Sequence, residues 1–216
     1  MKEYQKKFIE ISLESGALKF GRFELKSGRV SPYFFNAGMF SEGLSLSKVA
    51  DCYAAKIASL KMNFDMLFGP AYKGIGLVSV TSVALARDHK LNFPFAYNRK
   101  ERKNHGEGGM SVGSPIKGKV LILDDVITAG TAIKQSIEII KKAGAEPIGV
   151  LVALDREEVA DNKNLSAVEQ LQRYIDLKVK SIINLRDLIK HVHSSKKFEK
   201  LIPKILDYQE RYGVNN

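Results

Sequence analysis

The stretch VLILDDVITAGTAI, residues 120–133, decides the fold class that we predict. Its apolar start is typical of a buried strand, and that strand ends in two adjacent carboxylates, Asp124 and Asp125. The TAGT sequence at 128–131 then leads directly into a helix. In an open α/β sheet, the helix N-terminus that follows a strand presents unpaired N–H groups and the positive end of its dipole. The stretch therefore predicts a ligand site at a strand–helix junction.

The chemistry of this junction favours a sugar phosphate. A glycine-containing turn with two threonine hydroxyls predicts a phosphate cradle. The turn lacks the lysine of the GxxxxGK[ST] loop, so we expect it to hold one phosphate monoester rather than a triphosphate chain. The two acids lie about one sugar's length upstream, where they can accept hydrogen bonds from paired ribose hydroxyls. An acidic strand end followed by a threonine N-cap would explain either half of the pattern, but not both halves together.

Strands and helices alternate on both sides of this junction. The pattern predicts strands at 65–68, 93–97, 119–123, 148–154 and 179–184, and helices at 4–14, 45–60, 74–88, 130–143 and 195–212. Such alternation, with strands rich in Val, Ile and Leu, predicts βαβ units around a buried parallel sheet. The aromatic, turn-rich segment 17–36 predicts small antiparallel strands. We therefore expect one α/β domain over 1–216, with an N-terminal antiparallel hood at about 1–40.

Composition restricts the class of protein further. The 216 residues are 44% apolar and 27% charged, which is typical of a globular protein and excludes disordered, collagen-like and disulfide-scaffold classes. No run approaches the ~18 apolar residues of a membrane helix. The lone cysteine, Cys52, cannot form an intrachain disulfide, which favours a cytoplasmic location. Because no basic cluster surrounds Cys52 in the sequence, we interpret it as a small helix residue rather than a reactive thiol.

The net charge of +10 points to an anionic partner, which leaves nucleic acid, an anionic membrane surface or a phosphorylated small molecule. Residues 61–120 hold ten Lys and Arg against four Asp and Glu, so the surplus is concentrated there. Part of it falls in the segment at about 98–116, which is polar, rich in glycine and without periodicity. Loops of that length inside a compact domain are usually functional lids or disordered. We expect a mobile lid, with glycines that allow it to close.

The junction at 120–133 is similar to the signature of the phosphoribosyltransferases that use 5-phosphoribosyl-1-diphosphate (PRPP): an apolar strand, two acids and a TAGT-type loop. Four other segments resemble the members of this family that act on orotate. They are FELKSGRVSPYFFN at 23–36, GPAYKG at 69–74, NRKERKNHGEGG at 98–109 and ALDRE at 153–157. The resemblance implies the type I phosphoribosyltransferase fold, in which a Rossmann-like parallel sheet is flanked by helices beside a small antiparallel hood.

The same resemblance implies an enzyme that transfers the 5-phosphoribosyl group from PRPP to orotate. The products would be orotidine 5′-monophosphate and diphosphate, in the pyrimidine route to UMP. It implies Mg²⁺ carried mainly by PRPP, without a metal site made by the protein. It also implies a homodimer in which the lid reaches into the neighbouring subunit's site, and neither nucleic acid nor membrane as a partner.

Carried over residue by residue, the resemblance implies three overlapping sets of contacts. The residues expected to bind PRPP are Lys26, Tyr72, Lys73, Arg99, Lys100, Lys103, His105, Asp124, Asp125, Val126, Ile127, Thr128, Ala129, Gly130, Thr131 and Ala132. Those expected to bind orotate are Phe34, Phe35, Thr128 and Arg156. The catalytic candidates are Lys103 and Asp125.

Two questions about these residues stay open at the level of sequence. Lys103 is the first candidate for a catalytic cation, whereas Asp125 can act as a general base or as a ribose anchor. Phe34 and Phe35 are neighbours on a predicted strand, so their side chains point to opposite faces. They can therefore contact a base through a ring or through the backbone.

Three other functions compete with this one. The nearest is transfer to another base, because purine transferases share the TAGT-type loop. The second is a regulatory nucleic-acid-binding protein that keeps the fold, although the basic residues lack an interleaved aromatic ladder. The third is a synthetase that makes PRPP, for which the sequence shows no ATP-binding motif.

Overall fold

The computed structural model describes residues 1–25, 27–103, 109–127, 130–160, 165–175, 177–194 and 196–214. Its N-terminal part contains a helix, an antiparallel pair of strands and a second, longer helix. These elements are α1 (Glu3–Glu14), β1 (Leu18–Glu24), β2 (Val30–Phe35), a short 3-10 helix (Ala37–Met39) and α2 (Gly43–Ser59). The pair β1–β2 confirms the predicted small antiparallel sheet.

A six-stranded sheet forms the centre of the part of the chain that is described. Its strands are β3 (Met66–Gly69), β4 (Phe95–Lys103), β5 (Gly109–Gly113), β6 (Lys119–Leu123), β7 (Glu146–Asp155) and β8 (Lys178–Asn184). Their order is β5-β4-β3-β6-β7-β8, and every pair except β4–β5 is parallel. The remaining α-helices are α3 (Lys73–His89), α4 (Thr131–Lys142), α5 (Ala167–Ile175), α6 (Leu185–His193) and α7 (Ile202–Tyr212). Among the helices described, none has the length and apolar character required to cross a membrane.

Both faces of the sheet are covered, which explains the near-continuous apolar strands. Successive residues of β6 enter two different cores: Leu121 and Leu123 pack with the core that contains α1, α2 and α3, whereas Val120 and Ile122 pack with α4 and α5. Cys52, on α2, belongs to the first core, and burial raises the pKa of its thiol to about 12. The interpretation of Cys52 as a small helix residue is confirmed.

The segment 98–116 differs from the loop that the sequence predicts. Strand β4 continues past Tyr97 to Lys103, and β5 pairs with it as an antiparallel edge strand. The two strands pair through their backbones, and the residues of β4 beyond Tyr97 are all polar or charged. Hydrophobic periodicity, on which the prediction of strands depends, is therefore missing from the hairpin.

The C-terminal region also differs from the prediction. In place of one helix over 195–212, a 3-10 helix (Lys196–Leu201) is followed by α7, which has Pro203 in its first turn. Proline has no N–H and is tolerated at a helix start rather than in its interior, so the α-helix begins there. Helices α5 and α6 were not predicted. A signal for α6 was present, since Asn184 and Asp187 form a capping box.

Candidate active site

Three turns gather at one edge of the sheet. They follow β3 (residues 70–72), β6 (residues 124–127 and 130) and β7 (residues 156–158), which are neighbouring parallel strands. Because the carboxyl ends of parallel strands lie at the same edge, the fold brings together segments that are far apart in the sequence. The predicted site residues Tyr72, Asp124, Asp125 and Arg156 therefore lie at the same edge of the sheet.

The acid pair lies at the centre of this edge. Asp124 and Asp125 are 7% and 6% exposed. Asp124 Oδ1 accepts a hydrogen bond from the backbone N–H of Asp125 at 2.9 Å, and the backbone carbonyl of Asp124 accepts one from the Tyr53 hydroxyl at 2.7 Å. Burial, followed by the charge of the neighbouring Asp125, raises the pKa of Asp124 to about 7. One of the two acids thus changes its charge close to neutral pH.

Lys73 joins the turn after β3 to the acid pair. Its Nζ atom lies 2.6 Å from Asp125 Oδ2, in a charge-assisted hydrogen bond. The Lys73 side chain is 48% exposed, whereas that of Asp125 is 9% exposed. The ammonium group of Lys73 is therefore more accessible to solvent than the carboxylate with which it pairs.

The backbone between β3 and α3 is packed too tightly for side chains at two glycines. A Cβ atom on Gly69 would lie 2.1 Å from the Gly74 carbonyl oxygen, and one on Gly74 would lie 2.6 Å from Pro70. The side chain of Asn98 also fixes this turn, because its Oδ1 accepts a hydrogen bond from the Ala71 N–H at 2.8 Å. These contacts set the position from which Lys73 reaches Asp125.

Other predicted contacts to PRPP extend from this turn to β4. Tyr72 is 68% exposed, and the Lys100 ammonium lies 4.5 Å from the centroid of its ring. Arg99 precedes Lys100 on the same strand. The structure therefore brings Tyr72, Lys73 and Lys100 to the solvent side of the site.

The turn after β6 leads into α4 through a glycine. Gly130 has a φ of 71°, in the left-handed region that favours glycine, and α4 begins at Thr131 with Ala132 after it. Val126 forms a parallel bridge with Leu154, and Val126 and Ile127 pack against the two different cores. Helix α4 therefore begins six residues after Asp125 in the chain, which confirms the helix that the sequence predicts after β6.

Arg156 faces the hood from the turn after β7. Its Nε donates to Glu158 Oε1 at 2.8 Å, its Nη2 donates to Ser31 Oγ at 3.2 Å, and its guanidinium lies 4.3 Å from the Tyr33 ring centroid. Burial alone would lower the pKa of Arg156, but Tyr33 and Glu158 more than offset this effect and raise it. Arg156 therefore stays charged, and it is held between β2 and the sheet edge.

The two phenylalanines of β2 lie on opposite faces of the strand. The Phe35 ring packs in the core, 6.2 Å from the ring centroids of both Phe8 and Phe40. Phe34 is 38% exposed and stacks on Phe23. In this conformation Phe35 can offer a ligand its backbone but not its ring, whereas Phe34 can offer its ring. Contact of either residue with a base stays a prediction.

Several predicted site residues cannot be placed. Lys26, His105, Thr128 and Ala129 lie outside the described residues, as does the side chain of Lys103. Their roles stay predictions. Among the described residues, no group of three or more His, Cys, Asp and Glu side chains is arranged to hold a metal ion.

The sequence reasoning missed three residues that support the site. They are Tyr53, Asn98 and Glu158. No motif could have identified Tyr53, since it contacts a residue 71 positions away from within an ordinary apolar helix face. Asn98 lies inside the segment quoted at 98–109, and Glu158 follows directly after the segment quoted at 153–157.

The fold and this arrangement of turns define a phosphoribosyltransferase. The family model described as the phosphoribosyl transferase domain matches residues 40–182. The chain belongs to that family, and the predicted fold class is confirmed.

Relatives over the full length define the branch of the family. The chain is 52% identical to an orotate phosphoribosyltransferase of Marinobacter nauticus, over 99% of this chain and 100% of that one. It is 50% identical to one of Hahella chejuensis over the whole of both chains. A crystal structure of orotate phosphoribosyltransferase from Francisella tularensis superposes with a TM-score of 0.87 at 40% identity, covering 95% of this chain and 98% of that one. Within the family, the chain therefore belongs to the orotate phosphoribosyltransferases.

Replacing Asp124 by Asn should stabilise the protein relative to wild type as the pH rises from about 5 to about 7. An aspartate in the unfolded chain ionises at about pH 4. The raised pKa of Asp124 means that the folded state holds this proton more tightly, so its contribution to stability is lost as the pH rises through about 7. Asparagine has no proton to lose. The denaturant midpoint of Asp124→Asn should therefore rise relative to that of wild type up to about pH 7, and the difference should stay constant above that pH.

The matched control for this experiment is Asp207→Asn, which removes an exposed carboxylate that pairs with Arg211. Its difference from wild type should stay constant over the same pH range. A constant difference for Asp124→Asn as well would contradict the raised pKa of Asp124.

Proposed function

We propose that the chain binds PRPP at the sheet edge and transfers its 5-phosphoribosyl group to orotate, giving orotidine 5′-monophosphate and diphosphate for UMP synthesis. The observation that carries this proposal is the buried pair Asp124–Asp125, held by Lys73 immediately before the glycine turn into α4. The pair supplies acceptors for ribose hydroxyls, and the helix N-terminus supplies donors for a phosphate.

Binding of PRPP would distribute its charges over three turns. The 5′-phosphate would occupy the turn at 128–131, and the ribose hydroxyls would bond to Asp124 and Asp125. The diphosphate would meet Lys73 and the backbone beside Tyr72. Because Lys73 pairs with Asp125, an ammonium stands beside the acids where the diphosphate would bind. Positioning of this kind converts a bimolecular reaction into an effectively unimolecular one.

Catalysis would rest on charge stabilisation rather than on a protein nucleophile. Departure of diphosphate leaves a sugar that resembles an oxocarbenium ion, and negative charge develops on the leaving group. Arg99, Lys100, Lys103 and His105 would stabilise that charge. Lys103 is the proposed catalytic cation, and Asp125 is the proposed ribose anchor or general base. Mg²⁺ would be carried mainly by PRPP oxygens and would neutralise part of the diphosphate charge.

The base would bind between the hood and the turn after β7. Arg156 is charged and faces β2, so its guanidinium can meet the carboxylate of orotate through two hydrogen bonds. The exposed ring of Phe34, the backbone of Phe35 and the hydroxyl of Thr128 would complete the contacts. Closure of the site would exclude water, which otherwise hydrolyses the activated sugar.

The proposal includes a homodimer in the cytoplasm. The lid at about 98–116 would act in the partner's site, so that activity requires two subunits. Large apolar side chains are exposed at Leu44 on α2, at Tyr72 just before α3 and at Val83 on α3. They support an interface between two copies of the chain. The cytoplasmic location rests on the lone cysteine, Cys52, whose thiol is free and buried.

A panel of bases tests the reaction. In the presence of PRPP and Mg²⁺ the protein should consume orotate, which is measured as a loss of orotate absorbance. It should leave uracil, adenine and hypoxanthine unchanged. Arg156→Ala should raise the KM for orotate about tenfold to a hundredfold, since a hydrogen bond to a charged group is lost. The KM for PRPP should change much less.

Arg211→Ala removes an exposed arginine of α7 and should leave both KM values unchanged. Consumption of a purine with orotate inert would refute the roles given to Arg156, Phe34 and Phe35. Tight, salt-dependent binding of nucleic acid with negligible turnover of every base would favour a regulatory protein instead.

Mixing two inactive variants tests the sharing of the lid. Lys103→Ala removes the proposed cation of the lid, and Asp125→Asn removes the ribose anchor. If the lid acts in the partner's site, each mixed dimer regains one complete site. Equal amounts of the two chains should then recover about a quarter of wild-type activity after subunit exchange, because half of the dimers are mixed. Absence of recovery, with exchange verified by mass, would assign the lid to its own subunit.

A further inference from the structure

Tyr53 contacts the acid pair although it lies on α2, outside the turns that surround the site. Its side chain is fully buried, and its hydroxyl donates to the backbone carbonyl oxygen of Asp124 at 2.7 Å. A buried carbonyl requires a donor, and an unsatisfied one is costly. The hydroxyl of Tyr53 therefore satisfies the buried carbonyl of Asp124 directly after the end of β6.

The bond from Tyr53 holds the peptide group that joins the two acids. The carbonyl of Asp124 and the N–H of Asp125 belong to the same planar peptide. Tyr53 binds the carbonyl side of this plane, and the carboxylate of Asp124 accepts from the N–H side at 2.9 Å. Rotation of the plane would displace both contacts together. The Tyr53 hydroxyl thus restrains the orientation of both carboxylates.

The sheet alone does not provide this restraint. The Asp124 N–H donates to the Leu151 carbonyl at 3.0 Å, and the Asp125 carbonyl accepts from the Ala153 N–H at 2.8 Å. These two bonds attach the outer ends of the dipeptide to β7, but they leave the peptide between the acids to other partners. Tyr53, which lies on α2 in the first core, supplies one of these partners.

Tyr53 keeps its proton while it does this. Burial, and then the charges of Asp125 and Asp124, raises the pKa of the Tyr53 phenol well above its usual value. The phenol is therefore a neutral donor over the whole working range of the protein. Its contribution is geometric, and it brings no charge of its own to the site.

We propose that Tyr53 is a positioning residue for PRPP, which fixes the Asp124–Asp125 peptide so that both carboxylates face the ribose hydroxyls. This inference rests on the proposed role of the acid pair in binding ribose. Tyr53 does not itself touch the substrate in this account, and its effect reaches PRPP through the two acids.

Tyr53→Phe removes only the hydroxyl and keeps the ring that fills the core. We expect the Kd for PRPP, measured by calorimetry with Mg²⁺, to rise about fivefold to thirtyfold, because carboxylates that are less well oriented bond less well to the ribose hydroxyls. The KM for orotate should change by less than about twofold, because the contacts of Arg156 are with Glu158, Ser31 and Tyr33 rather than with this peptide. A residue with a purely structural role would affect both substrates alike.

Ser12→Ala provides a matched control. The Ser12 hydroxyl is buried and donates to the Phe8 carbonyl at 2.6 Å within α1, so its loss removes the same kind of bond away from the site. Its thermal midpoint should fall, as that of Tyr53→Phe should, while its Kd for PRPP stays unchanged. Comparison at a temperature where both variants are folded separates stability from positioning.

A double-mutant cycle tests the route of the effect. In a chain that carries Asp124→Asn and Asp125→Asn, adding Tyr53→Phe should change the Kd for PRPP by less than about twofold, because no carboxylate remains to be positioned. An unchanged Kd in the single variant Tyr53→Phe, or an equal weakening in both backgrounds, would overturn the proposal for Tyr53. An unchanged Kd in the Asn/Asn chain itself would overturn the proposed role of the acids, and the role of Tyr53 with it.

Discussion

The ion pair between Lys73 and Asp125 joins the two turns on which the site depends. Two carboxylates are buried side by side at the end of β6, and removing such charges from water is costly unless they are paired and hydrogen-bonded. The ammonium of Lys73 offsets part of that cost at 2.6 Å, and the backbone N–H of Asp125 offsets part of the rest. The part of the cost that is not offset raises the pKa of Asp124 to about 7, so this carboxyl group keeps its proton at lower pH.

This ion pair is possible only because α3 begins very close to β3. Gly69 and Gly74 approach so closely that a methyl group on either would collide with backbone or ring atoms. Larger residues would push the start of α3 away from the sheet edge, and Lys73 with it. Asn98, from β4, fixes the same turn through the Ala71 N–H. Packing at two glycines and one amide thus determines where a cation stands relative to the acid pair.

Much of this arrangement could be predicted from sequence, because its signals are local. The strand, the two acids and the TAGT turn are contiguous in 120–133, and the apolar runs predict a sheet that is covered on both faces. The extension of β4 beyond Tyr97 and its pairing with β5 could not be predicted, since residues 98–103 are polar or charged and carry no hydrophobic periodicity. The same limit applies to the contact between Tyr53 and Asp124, which depends on how α2 packs across the sheet. Strand geometry predicts that Phe34 and Phe35 point to opposite faces, but it does not predict which of the two rings enters the core.

A crystal structure of the protein with PRPP and Mg²⁺ would show whether the acid pair and the start of α4 bind the sugar phosphate. We predict the 5′-phosphate in the turn at 128–131, at the N-terminus of α4, with the ribose hydroxyls within about 3 Å of the Asp124 and Asp125 carboxylates. The diphosphate should then contact Lys73. A complex with the phosphate bound elsewhere, and with the two acids contacting no part of the sugar, would contradict this prediction.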